Sequence, residues 1–312
     1  MTQKVQIGLR VGEFSLDGQN GAEFRDALFD YLDEAADAYA SIWIADHFFP
    51  WMASMDQKAD TFEALSTIAY LLARYPKNYI GSIVLSQSYR NPALVAKMAV
   101  TLQTLSNGRF ILGLGAGWKE NEYKAYGYEY LGAGERIDQL SEAVQVIRAM
   151  FTQEKPGFEG KYYRIENAYC TPRPSTLPPI MIGGGGRKKT LRVVAQYADW
   201  WNIPGCTVDE YASLLGALRD HCEAVERDYD SIVKTWMVDC VAIAETHEAA
   251  EALAQASPLR GPGAIVGTPD EVYTQLKRYT DLGATHLMLR FTDFPKSDGA
   301  KLFARTVLPR FA

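Results

Sequence analysis

The sequence has few residues of the kinds that build metal sites, disulfide frameworks or membrane anchors. Among its 312 residues are four cysteines and four histidines, and no two cysteines form a C-x-x-C pair. This pattern argues against a zinc site and a disulfide framework, so we expect no metal and reduced thiols in the cytoplasm. No long apolar run resembles a signal peptide or a membrane span, which predicts a soluble protein without a membrane partner.

Positive charge is also scarce. The formal net charge is −6, and the one dense basic cluster in the sequence is Arg187-Lys188-Lys189. Because binding to a phosphate backbone requires a clustered basic surface, this balance argues against a nucleic-acid partner. Hydrophobic residues make up 47% of the chain and charged residues 22%, which is ordinary globular composition.

What the chain does contain is a regular alternation of apolar strand-like segments and helical segments, as in stacked βα units. Strands are predicted near residues 5–9, 42–45, 79–85, 110–114, 179–182, 200–203, 235–243 and 286–291. Helices are predicted near residues 24–39, 62–75, 92–105, 136–151, 187–196, 208–227, 270–282 and 301–308. Eight such pairs favour an α/β fold, a closed TIM (β/α)8 barrel, with residues 1–312 as a single domain.

One stretch breaks this rhythm, and we interpret it as an insertion between about residues 118 and 179. It carries a helical pattern, a hairpin-like segment at 157–169 and then four prolines. In barrels, a long excursion forms either a lid or substrate wall at the active face, or a surface loop that includes subunit contacts. Both interpretations stay open, and the second is compatible with a homodimer.

The most informative feature is the run Gly183-Gly184-Gly185-Gly186, which lies between the apolar segment 179–182 and a basic helix start at Arg187. Glycine lets backbone N–H groups approach an anion closely, and the first turn of a helix presents unpaired donors. The run therefore predicts a seat for the phosphate of a cofactor. A tight strand-to-helix connection is the alternative.

Catalytic residues of such a barrel follow the carboxyl ends of the strands. Asp46 and His47 directly follow the second predicted strand, where a histidine can donate a hydrogen bond or a proton near neutral pH. Taken alone, an Asp-His pair is more typical of a polar turn. After the fourth strand, residues 115–117 (Gly-Ala-Gly) leave room for a flat ring or a ribityl-type chain. Trp118 stands where a dinucleotide-binding fingerprint would need glycine, so a Rossmann fold is disfavoured.

Several segments in this order resemble the bacterial luciferase-like superfamily of flavin and deazaflavin oxidoreductases. They are residues 41–48 (SIWIADHF), 90–97 (RNPALVAK), 105–118 (LSNGRFILGLGAGW), 178–186 (PPIMIGGGG) with 197–199 (YAD), and 267–272 (GTPDEV). The motif order is especially similar to the branch that uses coenzyme F420. The resemblance implies a single barrel that transfers hydride to or from a small organic substrate. FMN-dependent monooxygenation is the alternative, and a non-catalytic flavin-binding protein is a third possibility.

The resemblance also implies a role for each matching residue. It assigns His47 to catalysis, beside the redox carbon. The ring of the cofactor would lie near Asp46, with Ile83 and Val84 behind it, and the rest of the cofactor would run along Gly115, Ala116 and Gly117. The residues implied around its phosphate or charged tail are Asn121, Gly183, Gly184, Gly185, Gly186 and Arg187. Family members carry a non-proline cis peptide, which by alignment falls at Ile83-Val84. Trp118 departs from the sugar-phosphate dehydrogenases of this branch, which place a proton-donating glutamate there, and this argues against that activity.

Overall fold

The computed structural model describes residues 4–15, 18–52 and 54–311. Their strands, in chain order, are β1 (Gln6–Arg10), β2 (Ser41–Ile44), β3 (Tyr79–Ser82), β4 (Leu85–Ser86), β5 (Phe110–Gly115), β6 (Phe158–Glu159), β7 (Arg164–Ile165), β8 (Ile180–Gly183), β9 (Trp200–Asn202), β10 (Val233–Ile243), β11 (Ile265–Gly267) and β12 (His286–Phe291). Their α-helices are α1 (Gly21–Ala35), α2 (Ala64–Arg74), α3 (Pro92–Leu105), α4 (Glu120–Ala125), α5 (Ala133–Thr152), α6 (Thr190–Tyr197), α7 (Val208–Ala224), α8 (His247–Ala256), α9 (Pro269–Asp281) and α10 (Asp298–Thr306).

Parallel strands β1, β2, β3, β5, β8, β9, β10 and β12 form a closed barrel. The ring closes because β1 pairs with both β2 and β12, and β9 pairs with both β8 and β10. The predicted α/β class and the TIM (β/α)8 barrel are confirmed. Since the strands are parallel, their carboxyl ends meet at one mouth of the barrel. No helix within the described ranges is both long enough and apolar enough to cross a bilayer.

The core has two layers, which follow from the alternation of side chains along each strand. Ile42 and Ile44 of β2 belong to the larger apolar cluster, which includes the inward faces of the helices, whereas Trp43 belongs to a second cluster. Because successive side chains of a strand point to opposite faces, the second cluster fills the barrel interior. A Cβ at Gly8 would lie 2.6 Å from Trp43 Nε1, and one at Gly81 would collide with the indole ring. Glycine at these two positions makes room for the tryptophan.

The structure differs from the sequence prediction at several element boundaries. β3 ends at Ser82, and the Ile83–Val84 peptide bond, which is cis as the resemblance implied, separates it from β4. α6 begins at Thr190 and not at residue 187, since residues 187–189 form a turn. Helix α8 and strand β11 were missed. The buried residues of α8 are both alanines, which give a weak hydrophobic pattern, and β11 has only three residues.

The insertion contains α4, α5 and an antiparallel hairpin formed by β6 and β7. The carboxylate of Glu142 in α5 accepts hydrogen bonds from the backbone N–H groups of Lys161, Tyr162 and Tyr163, which fixes the turn of the hairpin on that helix. The Tyr163 hydroxyl donates to Gln87 Oε1 at 2.8 Å, so the hairpin is also attached to the segment after β4.

A buried histidine makes the stability of this barrel depend on pH. His286 Nε2 lies 2.8 Å from Ser41 Oγ in the interior, and burial lowers the pKa of His286 from 6.5 to about 3. Between these values the unfolded chain binds more protons than the folded one. The stabilisation is therefore complete above pH 6.5 and is lost as the pH falls toward 3.

We predict that His286 makes the free energy of unfolding fall by up to about 1.4 kcal/mol per pH unit below pH 6.5. Urea denaturation between pH 5 and 7 measures this slope. His286→Gln should flatten it, whereas His247→Gln, at an exposed histidine, should keep the steep decline. Equal slopes for wild type and His286→Gln would show that His286 does not cause the acid sensitivity.

Candidate active site

A cavity of about 520 Å³ lies at the carboxyl ends of the barrel strands. Its walls include residues at or just after the ends of six strands, Arg10, His47, Ile83, Gly115, Gly183 and Asn202, together with Asp239 from within β10. Most of the other lining groups are apolar or glycine. A concave, largely apolar pocket with a few placed polar groups is the usual form of a small-molecule site.

Asp46 is buried in the cavity wall, and its carboxylate is fully engaged by protein donors. Its oxygens accept hydrogen bonds from Arg90 Nη1 and Nη2, both at 2.8 Å, and from the Ser86 backbone N–H at 3.0 Å. Arg90 also contacts Glu63, the N-cap residue of α2. Asp46 therefore ties the mouth of β2 to the segment after β4, and its contribution to the cavity is a fixed wall.

His47 is held by a buried carboxylate that sequence reasoning missed. Glu122 Oε2 lies 3.0 Å from His47 Nδ1, and Glu122 also accepts hydrogen bonds from the Phe48 backbone N–H at 2.8 Å and the Tyr89 hydroxyl at 3.1 Å. Burial, and next the Glu122 carboxylate, raise the pKa of Tyr89 far above its ordinary value, so this hydroxyl stays protonated and donates.

This network defines which nitrogen of His47 is available for chemistry. An ionised carboxylate only accepts hydrogen bonds, so His47 donates from Nδ1. Its Nε2 has no hydrogen-bond partner among the described residues, and the ring lines the cavity. An imidazole oriented through Nδ1 by a carboxylate, with Nε2 open to a pocket, is suited to moving a proton.

Val84 forms a second wall where three backbone segments approach each other. A Cβ at Gly115 would lie 2.6 Å from Val84 Cγ2, and one at Gly183 would lie 3.0 Å from both Val84 methyl groups. Glycine at these positions lets the ends of β5 and β8 close on Val84. The wall therefore consists mainly of backbone and small side chains, with Ile83 and Ala116 adjoining it.

The glycine run after β8 lines the far end of the cavity. Gly184 is fixed on both sides, since its N–H donates to the Asn202 carbonyl and its carbonyl accepts from Trp201 Nε1, each at 2.9 Å. The N–H groups of Gly185 and Gly186 have no hydrogen-bond partner in the described part of the chain. Thr190, the first residue of α6, lines the cavity beside them. These unpaired donors lie in the glycine run for which the sequence analysis predicts a phosphate seat.

Arg136 supplies a cation to the cavity wall, and the sequence analysis did not identify it. Its side chain is buried and lines the cavity; Nε donates to the Gly117 carbonyl at 3.2 Å, and Nη1 donates to the Leu131 carbonyl. No carboxylate of the described residues pairs with it. Because a buried guanidinium is normally paired, and because arginine matches phosphate well, this unpaired cation indicates an anion site.

Two residues from the sequence prediction lie off the cavity. Asn121 is exposed on α4, where the next residue, Glu122, turns inward instead. The Arg187 guanidinium donates to Ser213 Oγ at 2.6 Å and to the Ser213 carbonyl, so it contacts α7. Both misplacements follow from local geometry, a helical turn of α4 and the late start of α6, which the motif spacing does not specify.

A buried charge cluster lies at the β1 side of the cavity. Arg10 Nη1 lies 2.9 Å from Glu13 Oε2, and Arg10 Nε lies 3.2 Å from Asp239 Oδ1. Burial alone would raise the pKa of Glu13, but the guanidinium groups of Arg10 and Arg290 hold this pKa at about 2. Glu13 therefore stays ionised, and its charge neutralises Arg10.

The aromatic residues near the strand ends divide into two groups. Trp51 and Trp118 line the cavity, and the rings of His47 and Trp118 meet edge to face at 5.7 Å. Phe48 instead packs on Tyr89 and Tyr126, and Trp201 is in the core, stacked on Tyr211. Of the insertion, the lining residues all precede residue 138, so its first part forms the wall and the hairpin does not.

Comparison with known proteins identifies the family. The family model described as luciferase-like monooxygenase matches residues 26–262. The chain belongs to this family. An F420-dependent glucose-6-phosphate dehydrogenase of Amycolatopsis mediterranei is 28% identical, with 86% of this chain and 89% of the relative covered.

Solved structures of oxidoreductases share the fold. An F420-dependent secondary alcohol dehydrogenase in complex with an F420-acetone adduct matches with a TM-score of 0.84 and 20% identity, over 99% of each chain. A monooxygenase from Streptomyces bottropensis matches with a TM-score of 0.77 and 18% identity, over 98% of this chain and all of its own.

Proposed function

We propose that this protein is an oxidoreductase that binds the deazaflavin coenzyme F420 and transfers hydride between it and a small organic substrate. Similarity supports this, because a relative covered over most of both chains is named as F420-dependent. The observation that carries the proposal is the position of the His47–Glu122 pair. It shares one cavity with a wall of backbone and small side chains and with an end built for an anion.

The residues present fit a flat ring with a phosphorylated tail. The ring side is the wall around Val84, where glycine at 115 and 183 is required by close packing. The phosphate side offers the free N–H groups of Gly185 and Gly186, the Thr190 hydroxyl and the buried guanidinium of Arg136. These four donor groups line the same cavity, and they match the acceptor oxygens of a phosphate.

Within this assignment, each catalytic task falls to a named side chain. When bound, F420 supplies a ring carbon that accepts or donates hydride, which requires no oxygen. His47 Nε2 takes the proton from a substrate hydroxyl during oxidation, or gives one to a substrate carbonyl oxygen during reduction. Glu122 holds the imidazole in the required tautomer and stabilises its protonated form. The apolar lining excludes water from the reacting groups.

The substrate is proposed to be a small organic molecule other than a sugar phosphate. Trp118, 59% exposed, lines the cavity at the position where the resemblance puts the proton-donating glutamate of sugar-phosphate dehydrogenases. An indole has no proton to transfer at that point. The homodimer and the cytoplasmic location stay predictions from the sequence.

FMN-dependent monooxygenation is the second candidate, and one observation favours it. One phosphate group can accept hydrogen bonds from all the donors proposed for the phosphate site, and FMN carries one phosphate. Titration of the purified protein with F420 and with FMN in separate experiments, followed by fluorescence, ranks the two. We expect saturable F420 binding that is at least about tenfold tighter than FMN binding, a difference of roughly 1.4 kcal/mol. The reverse ranking would favour the monooxygenase.

The phosphate seat gives a prediction for the same titration. We expect Gly184→Ala to weaken F420 binding by about tenfold or more, because Gly184 has φ +126°, a conformation that alanine rarely adopts, so the N–H donors that follow it would shift. Gly216→Ala is the matched control, since a Cβ there meets nothing within 4 Å. Unchanged affinity in a folded Gly184→Ala protein would place the phosphate elsewhere.

A further inference from the structure

One polar group in the cavity wall has no task in the reaction described above. Asp239 lies on β10, and its side chain, 22% exposed, lines the cavity. Met237, two residues earlier on the same face of that strand, also lines it, as does Pro204, which bridges to Met237. The carboxylate is therefore the charged group on an otherwise apolar stretch of the wall, and the Arg10 guanidinium adjoins it.

The hydrogen-bonding capacity of this carboxylate is largely unused. Asp239 Oδ1 lies 3.2 Å from Arg10 Nε and 3.9 Å from Arg290 Nη1, yet all three atoms are buried and lack a hydrogen bond within the described residues. Asp239 Oδ2 accepts none from these residues either. A carboxylate taken out of water without hydrogen-bond donors is unfavourable, so a ligand that donates to Asp239 gains affinity.

Arg10 and Arg290 do not make the cavity wall around Asp239 positively charged. The Arg10 guanidinium is bound to the Glu13 carboxylate and to the Val11 carbonyl, and Arg290 is buried away from the cavity lining. Glu13 and Asp239 together balance Arg10 and Arg290. A substrate in this part of the cavity therefore meets a carboxylate oxygen with free lone pairs.

We infer that Asp239 is the specificity-determining residue of the substrate subsite. It accepts a hydrogen bond from a hydroxyl or ammonium group that the substrate carries in addition to the carbon being oxidised, and it disfavours a phosphate or carboxylate at that place. This inference rests on the proposed function and specifies its substrate class, a neutral or cationic alcohol with a second donor group.

Four secondary alcohols with one skeleton test the inference: 2-butanol, 1,3-butanediol, 4-amino-2-butanol and 3-hydroxybutyrate. They share the oxidisable carbon and differ at the far end, which is apolar, hydroxyl, ammonium or carboxylate. Binding to the F420-loaded protein is followed by the fluorescence of Trp51 and Trp118, which line the cavity, and turnover by F420 reduction. We expect the diol or the amine to bind about tenfold tighter than 2-butanol, and 3-hydroxybutyrate to bind more weakly.

The variant Asp239→Asn should bind 4-amino-2-butanol no more tightly than 2-butanol. Its dissociation constant for 3-hydroxybutyrate should lie closer to those of the other alcohols than in wild type, and its F420 dissociation constant should be unchanged. Asp281→Asn, an exposed aspartate of α9, is the control and should reproduce the wild-type order. Should Asp239→Asn fail to fold, the wild-type series still decides. Equal binding of all four alcohols, or no binding of any, overturns the inference. Tightest binding of 3-hydroxybutyrate also overturns it, and would assign recognition to one of the cations of the wall, Arg10, Lys119 or Arg136.

These outcomes are separable from failure of the proposed function. A protein that binds no F420 refutes that function directly. A protein that binds F420 and oxidises the alcohols without regard to their far end keeps the function and loses the role of Asp239.

Discussion

Replacing His47 by asparagine is expected to lower kcat about a hundredfold or more while leaving the F420 dissociation constant within about threefold of wild type. The reason lies in the two ring nitrogens. Nδ1 is bound to Glu122, so an asparagine amide retains a donor to this carboxylate, but it has no group that exchanges a proton where Nε2 stands. Stopped-flow measurement of cofactor oxidation or reduction, together with a fluorescence titration, gives both quantities.

The chain provides a matched control in a second histidine–carboxylate pair. His247 Nδ1 lies 3.1 Å from Glu271 on the exposed surface near the start of α8. His247→Asn removes the same chemical pair outside the cavity and should leave kcat unchanged. If His47→Asn lowers stability and cofactor affinity together, with turnover per bound cofactor intact, His47 is a structural residue.

Glu122→Gln is expected to lower kcat by roughly ten- to a hundredfold by disturbing the imidazole. The buried carboxylate accepts from His47, from the Phe48 N–H and from Tyr89. The groups around this carboxylate are all hydrogen-bond donors. The NH2 group of a glutamine can only donate, so at least one of these contacts is lost. The F420 dissociation constant should change little, because Glu122 makes no hydrogen bond to the glycine run proposed to bind the phosphate.

A double-mutant cycle distinguishes positioning from general support. Glu122 acts through His47, so Glu122→Gln should add little to the loss of kcat already caused by His47→Asn. Tyr89→Phe removes a neutral donor from the same carboxylate and should cost less than Glu122→Gln. Additive losses in the double variant would indicate that Glu122 supports the fold independently of His47.

The barrel was predictable from the sequence because its signals are local and repeated. Each strand is an apolar segment followed by a turn and an amphipathic helix, and the eight strands fall within a few residues of the predicted positions. Failures occurred where a segment carries little hydrophobic contrast. The buried residues of α8 are alanines, and β11 is a three-residue strand beside β10.

The site was predictable in part, and the limit has a physical origin. Asp46, His47 and the glycines follow strand ends, so the parallel topology alone brings them to one mouth. Glu122 and Arg136 lie on helices of the insertion. Which residues of a helix face the cavity depends on where the helix starts and on its rotation about its own axis. A cue for Glu122 was present: a carboxylate within the first turn after a strand-end glycine segment, one residue beyond Asn121.

Charge pairing was also hidden from the sequence. Arg10, Glu13, Asp239 and Arg290 come from β1, the segment after it, β10 and β12. In the barrel β12 lies between β10 and β1, and along the chain β1 is separated from both by more than two hundred residues. Their mutual neutralisation, and the unused acceptor capacity of Asp239, follow only from the three-dimensional register of the strands.

Hydride transfer without oxygen is the central claim, and one anaerobic experiment tests it most directly. Reduced F420 is mixed with the protein and a panel of small ketones and aldehydes under strict anaerobiosis, and its reoxidation is followed by absorbance at the deazaflavin band. We expect reoxidation with at least one carbonyl acceptor, its rate lowered about a hundredfold or more in His47→Asn. A protein that binds FMN tightly, ignores F420 and oxidises substrate only when oxygen is admitted would contradict the assignment.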